Sequence, residues 1–525
     1  MTPAGGATGA DDDGAGADVA PVDRAPDAGK VAGFDTGHAN GAVPDPAAEP
    51  GADRFTDLGG GDAGGLLVPP PDVTPDPGGE AAARRALRRR IDRAVAAIDT
   101  MLSVQVDAIL VHPRFATLEA AWRGIAWLVQ GLGADGLSRL RLFDARWAEL
   151  VRDFERSVDV EHSALFDIVY NQEFDMPGGV PFSMILALYA VQHRPSRDHP
   201  GDDVGALRML AQVAAAAFAP IVMDGAPGLF GLDGFAELDR RQSIAADFRQ
   251  PDYLRLHSLQ QLPDSRFLGL VVPRVRLRGS WRGRSAGDIG FRYDADDRQV
   301  LWGPGALAFG DICLRAFRDH RWLAAIRGTV RDRLEGGVVA TLPPVDFATD
   351  APGKIVKPPV EVHVSETIDR ELAEAGFIAI RRVKDTPFLA IHNMPSLHRP
   401  ARVFGSEVAR VNERLGTMLN YILCVARFAH YIKVIGREWI GSFQSATECE
   451  MRLQRWLNDY TSGGDDMDYD AKARFPLREG RITVADIAGK PGAYECRIAL
   501  KPHFQLDQVV SEFHLVTTIQ EPRAA

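Results

Sequence analysis

Paired cysteines, a basic excess and long apolar runs are all missing from this 525-residue sequence. Its four cysteines, Cys313, Cys424, Cys449 and Cys496, are far apart, and none belongs to a C-x-x-C pair. That spacing suggests neither a zinc ribbon nor a disulfide framework, and it fits a reducing cytosol. The opening MTPAGGATGADDDG has no basic n-region and no apolar h-region, so a secretory signal is not expected. The longest uncharged apolar run, Met209 to Met223, lies between Arg208 and Asp224. It is short for a bilayer and rich in alanine, which predicts a buried helix and no direct membrane insertion. The net charge is -11, and residues 1–79 carry all of it, with 14 acids against 3 bases. The remaining residues balance, at 57 of each sign, which argues against nucleic acid as a partner.

The common catalytic signatures are also missing. There is no G-x-S-x-G elbow, no H-E-x-x-H and no phosphate-binding G-x-x-x-x-G-K-[ST]. A formal G-x-G-x-x-G at Gly59, Gly61 and Gly64 has no strand pattern before it and no helix pattern after it, so no dinucleotide is expected there. Asp466, Asp468 and Asp470 open with the rhythm of a calcium loop. However, Ala471 stands where glycine is needed and Leu477 where glutamate is needed, which leaves a solvated acidic loop. His503 has no nearby ligand cluster and reads as a packing histidine. No cofactor, metal or catalytic residue is therefore expected.

What is present divides by texture. Residues 1–79 are Gly, Ala, Pro and Asp with few bulky groups to offset the entropy of ordering, and they read as a disordered acidic tail. From Glu80, Leu87, Ile91, Val95, Ile98, Leu102 and Val106 repeat at helical spacing. Arg84, Arg85, Arg88, Arg89, Arg90 and Arg93 make the start of that helix basic, either as a solvated face or as a dock for an acidic partner. His112 and Pro113 break it, and a second helix runs to about Gly131 and Gly133. These two helices make an arm over 80–133. The stretch 134–350 alternates apolar strands such as RFLGLVVPRVRL with helical patterns, which implies a mixed α/β middle domain.

A Pro-rich link leads into the C-terminal domain, 351–525. There Thr447 and Glu450 form an expected capping box ahead of Cys449, Leu453, Trp456, Leu457 and Tyr460. Tyr494, Cys496, Ile498 and Leu500 alternate as a strand, as do Phe513, Leu515, Thr517 and Ile519. Lys490-Pro491-Gly492-Ala493 suits a type II turn. The fold class that follows is α+β, or mixed α/β, ending in an antiparallel sheet with helices.

One stretch could carry chemistry. In RFAHYIKVIGREWIGSF, His430, Lys433 and Arg437 share a helix face, with Arg427 beside them, while Phe428, Tyr431, Ile432, Ile435 and Trp439 share another. The basic stripe reads as a solvated face or as a surface toward a neighbouring subunit or tube. A general base at His430 is the remaining reading, weakened because its neighbours are cations and no carboxylate orients the ring.

The blocks AILVHPRFATLEAAWRGIAWLV, AAAFAPIVMDGAPGLFGL, DSRFLGLVVPR, LWGPGALAF, ARFAHYIKVIGREWIGSF and ARFPLREGRITVADIAGKPGAYECRIALKPHFQLD occur in this order. Together they resemble TssC, the large contractile-sheath subunit of type VI secretion, also called the VipB family, from about Ile91 to about Ile519. The resemblance implies a non-enzymatic structural subunit in the bacterial cytoplasm. It would pair with a small sheath subunit, TssB or VipA-like, polymerise helically around an Hcp tube on a membrane-anchored baseplate, and contract.

The resemblance also implies exchange of terminal strands between neighbours. The sheet containing Tyr494, Cys496, Ile498 and Leu500 is the expected acceptor, and GGLLVPPPDV is a candidate donor arm. Two acids of the family pattern are lost at Ala187-Leu188-Tyr189-Ala190-Val191, and LRLHSLQQLPDS replaces another charged block. Residues 1–79 show no amphipathic helix of the kind a ClpV unfoldase recognises, which counts against recycling by that route. The alternative function is a cytosolic enzyme built on the His430 region.

Overall fold

The structure, a computed structural model, describes residues 77–519 apart from 135, 197–198, 242, 280–299, 332, 344–357, 400–412, 414–415, 439–444, 465–466, 488–493 and 504–512. The glycine triplet at Gly59, the donor arm GGLLVPPPDV, the turn at Lys490 and most of the Pro-rich link lie outside the described residues. So do Trp439 and Asp466.

Two units are distinguished, Met1–Arg85 and Ala86–Ala525. The described end of the first is helix, in which Arg84 pairs with Glu80 at 2.8 Å. The helix as a whole, α1, runs Pro77–Val111. Its sequel α2, Pro113–Gly131, starts with proline at its first turn, where the missing N–H costs nothing. His112 between them is extended, as a residue before proline prefers.

The second unit continues with α3 (Trp147–Arg156), a π-helical segment (Asp167–Asp175), β1 (Ile185–Val191), α4 (Asp203–Ala216), β2 (Ile221–Gly225), β3 (Leu268–Val272), β4 (Val275–Arg278) and β5 (Leu301–Gly303). Then follow α5 (Ala306–His320), β6 (Val338–Val339), α6 (Glu366–Ala375), β7 (Phe377–Arg382), β8 (Leu389–Ile391), α7 (Leu419–Glu438) and α8 (Ala446–Asn458). The chain closes with α9 (Tyr469–Arg474), β9 (Leu477–Asp486), β10 (Tyr494–Pro502) and β11 (Phe513–Ile519).

A six-stranded sheet in the order β1-β2-β3-β7-β8-β6 forms the centre of this unit. β1, β2, β3 and β7 are parallel, and at one end β8 pairs antiparallel with both β7 and β6. The strand sequences IVMDG and LGLVV are buried throughout, as expected when both faces of a parallel sheet are covered. Alternation then sends neighbours to opposite cores. Ile221, Met223, Leu270, Val272, Phe377 and Ala379 join α4 on one side. Val222, Val271 and Ile378 join α2 and α5 on the other. A Cβ on Gly124 of α2 would lie 2.3 Å from the Leu307 side chain of α5, so any larger residue there would push that leucine aside.

The expected single helix over Met209 to Met223 is not what forms. Asp202 caps α4 by accepting from the Gly205 amide, and the helix ends at Ala216. Phe218 then takes φ +50 and Pro220 follows, after which Ile221 to Met223 enter β2. The run is helix, turn and strand, because proline breaks a helix while Ile-Val-Met packs well in a sheet.

The C-terminal part carries a separate antiparallel sheet, order β11-β10-β9. Its core takes Cys449, Leu453 and Leu457 from α8, Phe428 and Ile432 from α7, and Ile482, Val484, Cys496, Ile498 and Leu500 from the strands. Trp322 stacks on Phe428 at 4.2 Å between ring centres. The N-cap of α8 sits two residues earlier than expected. Ser445 is the N-cap, accepting from the Glu448 amide at 3.2 Å, and Thr447 lies inside the helix. S-x-x-E at 445–448 and T-x-x-E at 447–450 both fit the motif; the helix starts from Ser445, and Glu450 contacts β9 instead.

Candidate functional site: assembly surfaces

The basic stripe of α7 is turned toward this chain's own backbone. His430 is 2% exposed, and its Nε2 lies 2.9 Å from the Ala217 carbonyl. A carbonyl only accepts, so Nε2 carries the proton and Nδ1 faces the Arg427 guanidinium at 3.4 Å. Burial, with the Arg427 charge second, pushes the imidazole down to about 3, so it is neutral across the physiological range. Lys433 pairs with Asp175 at 2.9 Å and lies over the Phe174 ring. Arg437 donates to the carbonyls of Phe174, Met176 and Gly179. These two cations sit at the C-terminal end of the π-helical segment, where carbonyls lack intrahelical partners and the dipole favours positive charge.

Arg427 is half-buried over the Tyr431 ring. The stripe expected to face a neighbour therefore clamps residues 174–179 and the end of α4. The general-base reading gains no support, because His430 is enclosed and tied to a main-chain carbonyl.

Tyr494, Cys496, Ile498 and Leu500 lie on one face of β10, packed into the C-terminal core. β10 is the middle strand, with Cys496 opposite Val484 of β9 on one side and Thr517 of β11 on the other. An incoming strand cannot pair with it, and the sheet's edges belong to β9 and β11.

The β9 edge is already closed. Gln454 of α8 accepts from the Ile482 amide at 2.8 Å and donates to the Gly480 carbonyl at 2.9 Å, while Glu450 accepts from the Val484 amide at 2.9 Å. Those groups point away from β10, so Arg481, Thr483 and Ala485 make the β9–β10 ladder bonds. Carried across the sheet, the same alternation leaves His514, Val516 and Thr518 of β11 with main-chain groups directed outward. Among the described residues no strand pairs with that edge.

A third surface is the apolar row of α1. Leu87, Ile91, Val95, Ile98, Met101 and Leu102 are all exposed, Met101 by 73%. Among the described helices, Gly79–Val111 is the one long and apolar enough to cross a membrane by length and composition. The sequence pattern located this row but could not show that the chain leaves it bare.

The four cysteines are buried, and burial pushes their thiols upward, Cys424 and Cys496 to about 12. They are packing groups in a closed interior. Asp224, at the end of β2, accepts from the Ala306 amide at 3.0 Å at the start of α5. Burial, opposed by the Ala306 and Gly305 amides, raises its carboxyl to about 7. No motif marked Asp224, although a lone acid inside an apolar strand was a signal that could have been read.

Comparison with known proteins extends the geometry. The VipB family model described as a tail sheath N-terminal domain matches residues 92–398. A second, described as a tail sheath gpW/gp25-like domain, matches 408–519. The type VI secretion system sheath protein TssC1 of Pseudomonas aeruginosa strain PAO1 is 30% identical over 445 residues, 83% of this chain and 87% of that protein. Two solved structures align loosely. A sheath tail protein from Desulfitobacterium hafniense has a TM-score of 0.32 at 8% identity, covering 65% of this chain and 57% of that one. A chain of the anti-feeding prophage baseplate has a TM-score of 0.33 at 10% identity, covering 74% and 81%.

Proposed function

The chain belongs to the VipB family of tail sheath proteins, and from that membership we propose how this contractile-sheath subunit meets its partners. The reading rests on one observation: both sheath domains match in order over most of the chain. As the large subunit, it pairs with a small TssB-like subunit, polymerises with it around an Hcp-type tube in the cytoplasm, and attaches to a baseplate.

Two surfaces support this reading of the partners. The bare row of α1 is a helical stripe of the kind an amphipathic partner helix covers. The β11 edge offers outward main-chain groups to an added strand, and an uncovered edge is an aggregation hazard that a partner removes. The work of contraction comes from subunit packing, with rigid bodies repositioned while strands stay joined.

Electron microscopy of the chain co-expressed with the small sheath-like protein encoded beside it tests the reading. Hollow tubules that require both chains are expected. Discrete particles without tubules, or flotation of the lone chain with vesicles through α1, would overturn it.

A further inference from the structure

The acidic loop that fails as a calcium site still ends beside a histidine. Asp470 of α9, Glu335 of the loop before β6, and His320 at the last turn of α5 bring ligand atoms within 4.8 Å of one another. Three chain segments far apart in sequence thus place a nitrogen and two carboxylates around one point. His320 is 7% exposed, and its Nδ1 has no hydrogen-bond partner. Glu335 Oε2 faces the Arg333 guanidinium at 3.5 Å. An orphaned polar atom is costly in a protein interior, and the unpartnered nitrogen of a buried histidine grouped with two carboxylates calls for a partner.

We propose that His320, Glu335 and Asp470 bind a divalent transition ion, zinc by donor chemistry. Imidazole nitrogen with carboxylate oxygen suits zinc, whereas calcium and magnesium favour all-oxygen shells. Ligand atoms on a tetrahedral zinc stand roughly 3.3 Å apart, so the side chains close inward on binding. The position is now held by a weaker cation. Arg333 reaches Asp470 at 2.8 Å and Glu335 at 3.5 Å, but its side chain is 47% exposed and free to swing into solvent. Arg315, by contrast, is fixed by donating to the Gly336 and Val338 carbonyls. Zinc entry therefore exchanges Arg333 for the ion. The bound ion joins α5, which packs on the large sheet, to α9, just ahead of the small one.

The test uses tag-free full-length protein co-purified with its small partner, stripped with chelator, reloaded with zinc chloride and freed of excess. Metal analysis is expected to find about one zinc per chain in the wild type. His320→Gln should lower affinity at least tenfold, since removing even an outer-shell partner of a ligand costs roughly 10–100-fold. Arg333→Ala keeps every ligand and removes the competing cation, so it should bind zinc more tightly than wild type and gain more thermal stability on loading. No zinc retained by either wild type or Arg333→Ala overturns the proposal. Equal retention by His320→Gln overturns it as well, because the ion then sits elsewhere. Both readouts are independent of whether tubules form.

Discussion

Gln454 closes the β9 edge at Ile482, its amide oxygen accepting from the Ile482 N–H at 2.8 Å. One side chain of α8 thereby does for this edge what a neighbouring strand would do. Strand addition is left to β11, and a single proline tests that. Val516→Pro removes an outward N–H without removing a ladder bond to β10, so the subunit should fold while tubules are lost. Thr517→Pro strikes the inward ladder and should destabilise the subunit itself. Normal tubules from the Val516→Pro chain would show that β11 accepts no strand.

The row on α1 gives a second prediction. Ile98→Asp combined with Leu102→Asp falls on exposed positions, so the thermal stability of the large subunit should change by less than about 0.5 kcal/mol equivalent. Co-purification with the small subunit should fail. Unchanged pairing would remove α1 from the interface.

Acid should loosen the hold of α7 on the end of α4. The folded His430 imidazole titrates near 3, below its ordinary 6.5. Its contribution to stability is therefore complete above about pH 6.5 and is lost as pH falls toward 3. His430→Gln keeps an N–H for the Ala217 carbonyl but has no proton to gain. Its melting temperature should fall less than that of the wild type between pH 6.5 and 4.5, and parallel curves would refute the assignment.

Asp224 has the opposite sign. Its folded carboxyl, at about 7, holds a proton more tightly than the 3.8 of an ordinary aspartate. Its effect on stability is most favourable below about pH 3.8 and declines as pH rises toward 7. Asp224→Asn keeps an oxygen for the Ala306 amide and removes the charge, so it should melt higher than wild type at pH 8 and about equally at pH 4. A lower melting temperature than wild type at pH 8 would mean that the charge itself holds α5.

Arg437 anchors three carbonyls, and a hydrogen bond to a charged group contributes roughly 1.5–3 kcal/mol net of its exchange with water. Arg437→Ala should cost on the order of 2 kcal/mol and speed amide exchange across residues 174–180. Unchanged exchange there would show that water replaces the guanidinium at no cost.

Much of the fold was legible in the sequence, because the signals concerned are local. The break at Pro113, the alternation of Tyr494, Cys496, Ile498 and Leu500, and the ordered family blocks depend on neighbours a few residues away. The failures were local too where two patterns competed. The run from Met209 crosses Pro220 from helix into strand, and two overlapping caps stand within six residues at the start of α8.

The sequence by itself determined the family, most element types and the faces: which residues of α7 lie together, and which of β10 turn inward. The tertiary structure alone decided what meets each face. It placed Ala217 and the 174–179 carbonyls under the α7 stripe, put β10 between two strands, spent Gln454 on the β9 edge, and gathered His320, Glu335 and Asp470. Periodicity records the orientation of a side chain about its own axis. The partner across the gap comes from a segment often hundreds of residues away, and packing selects it.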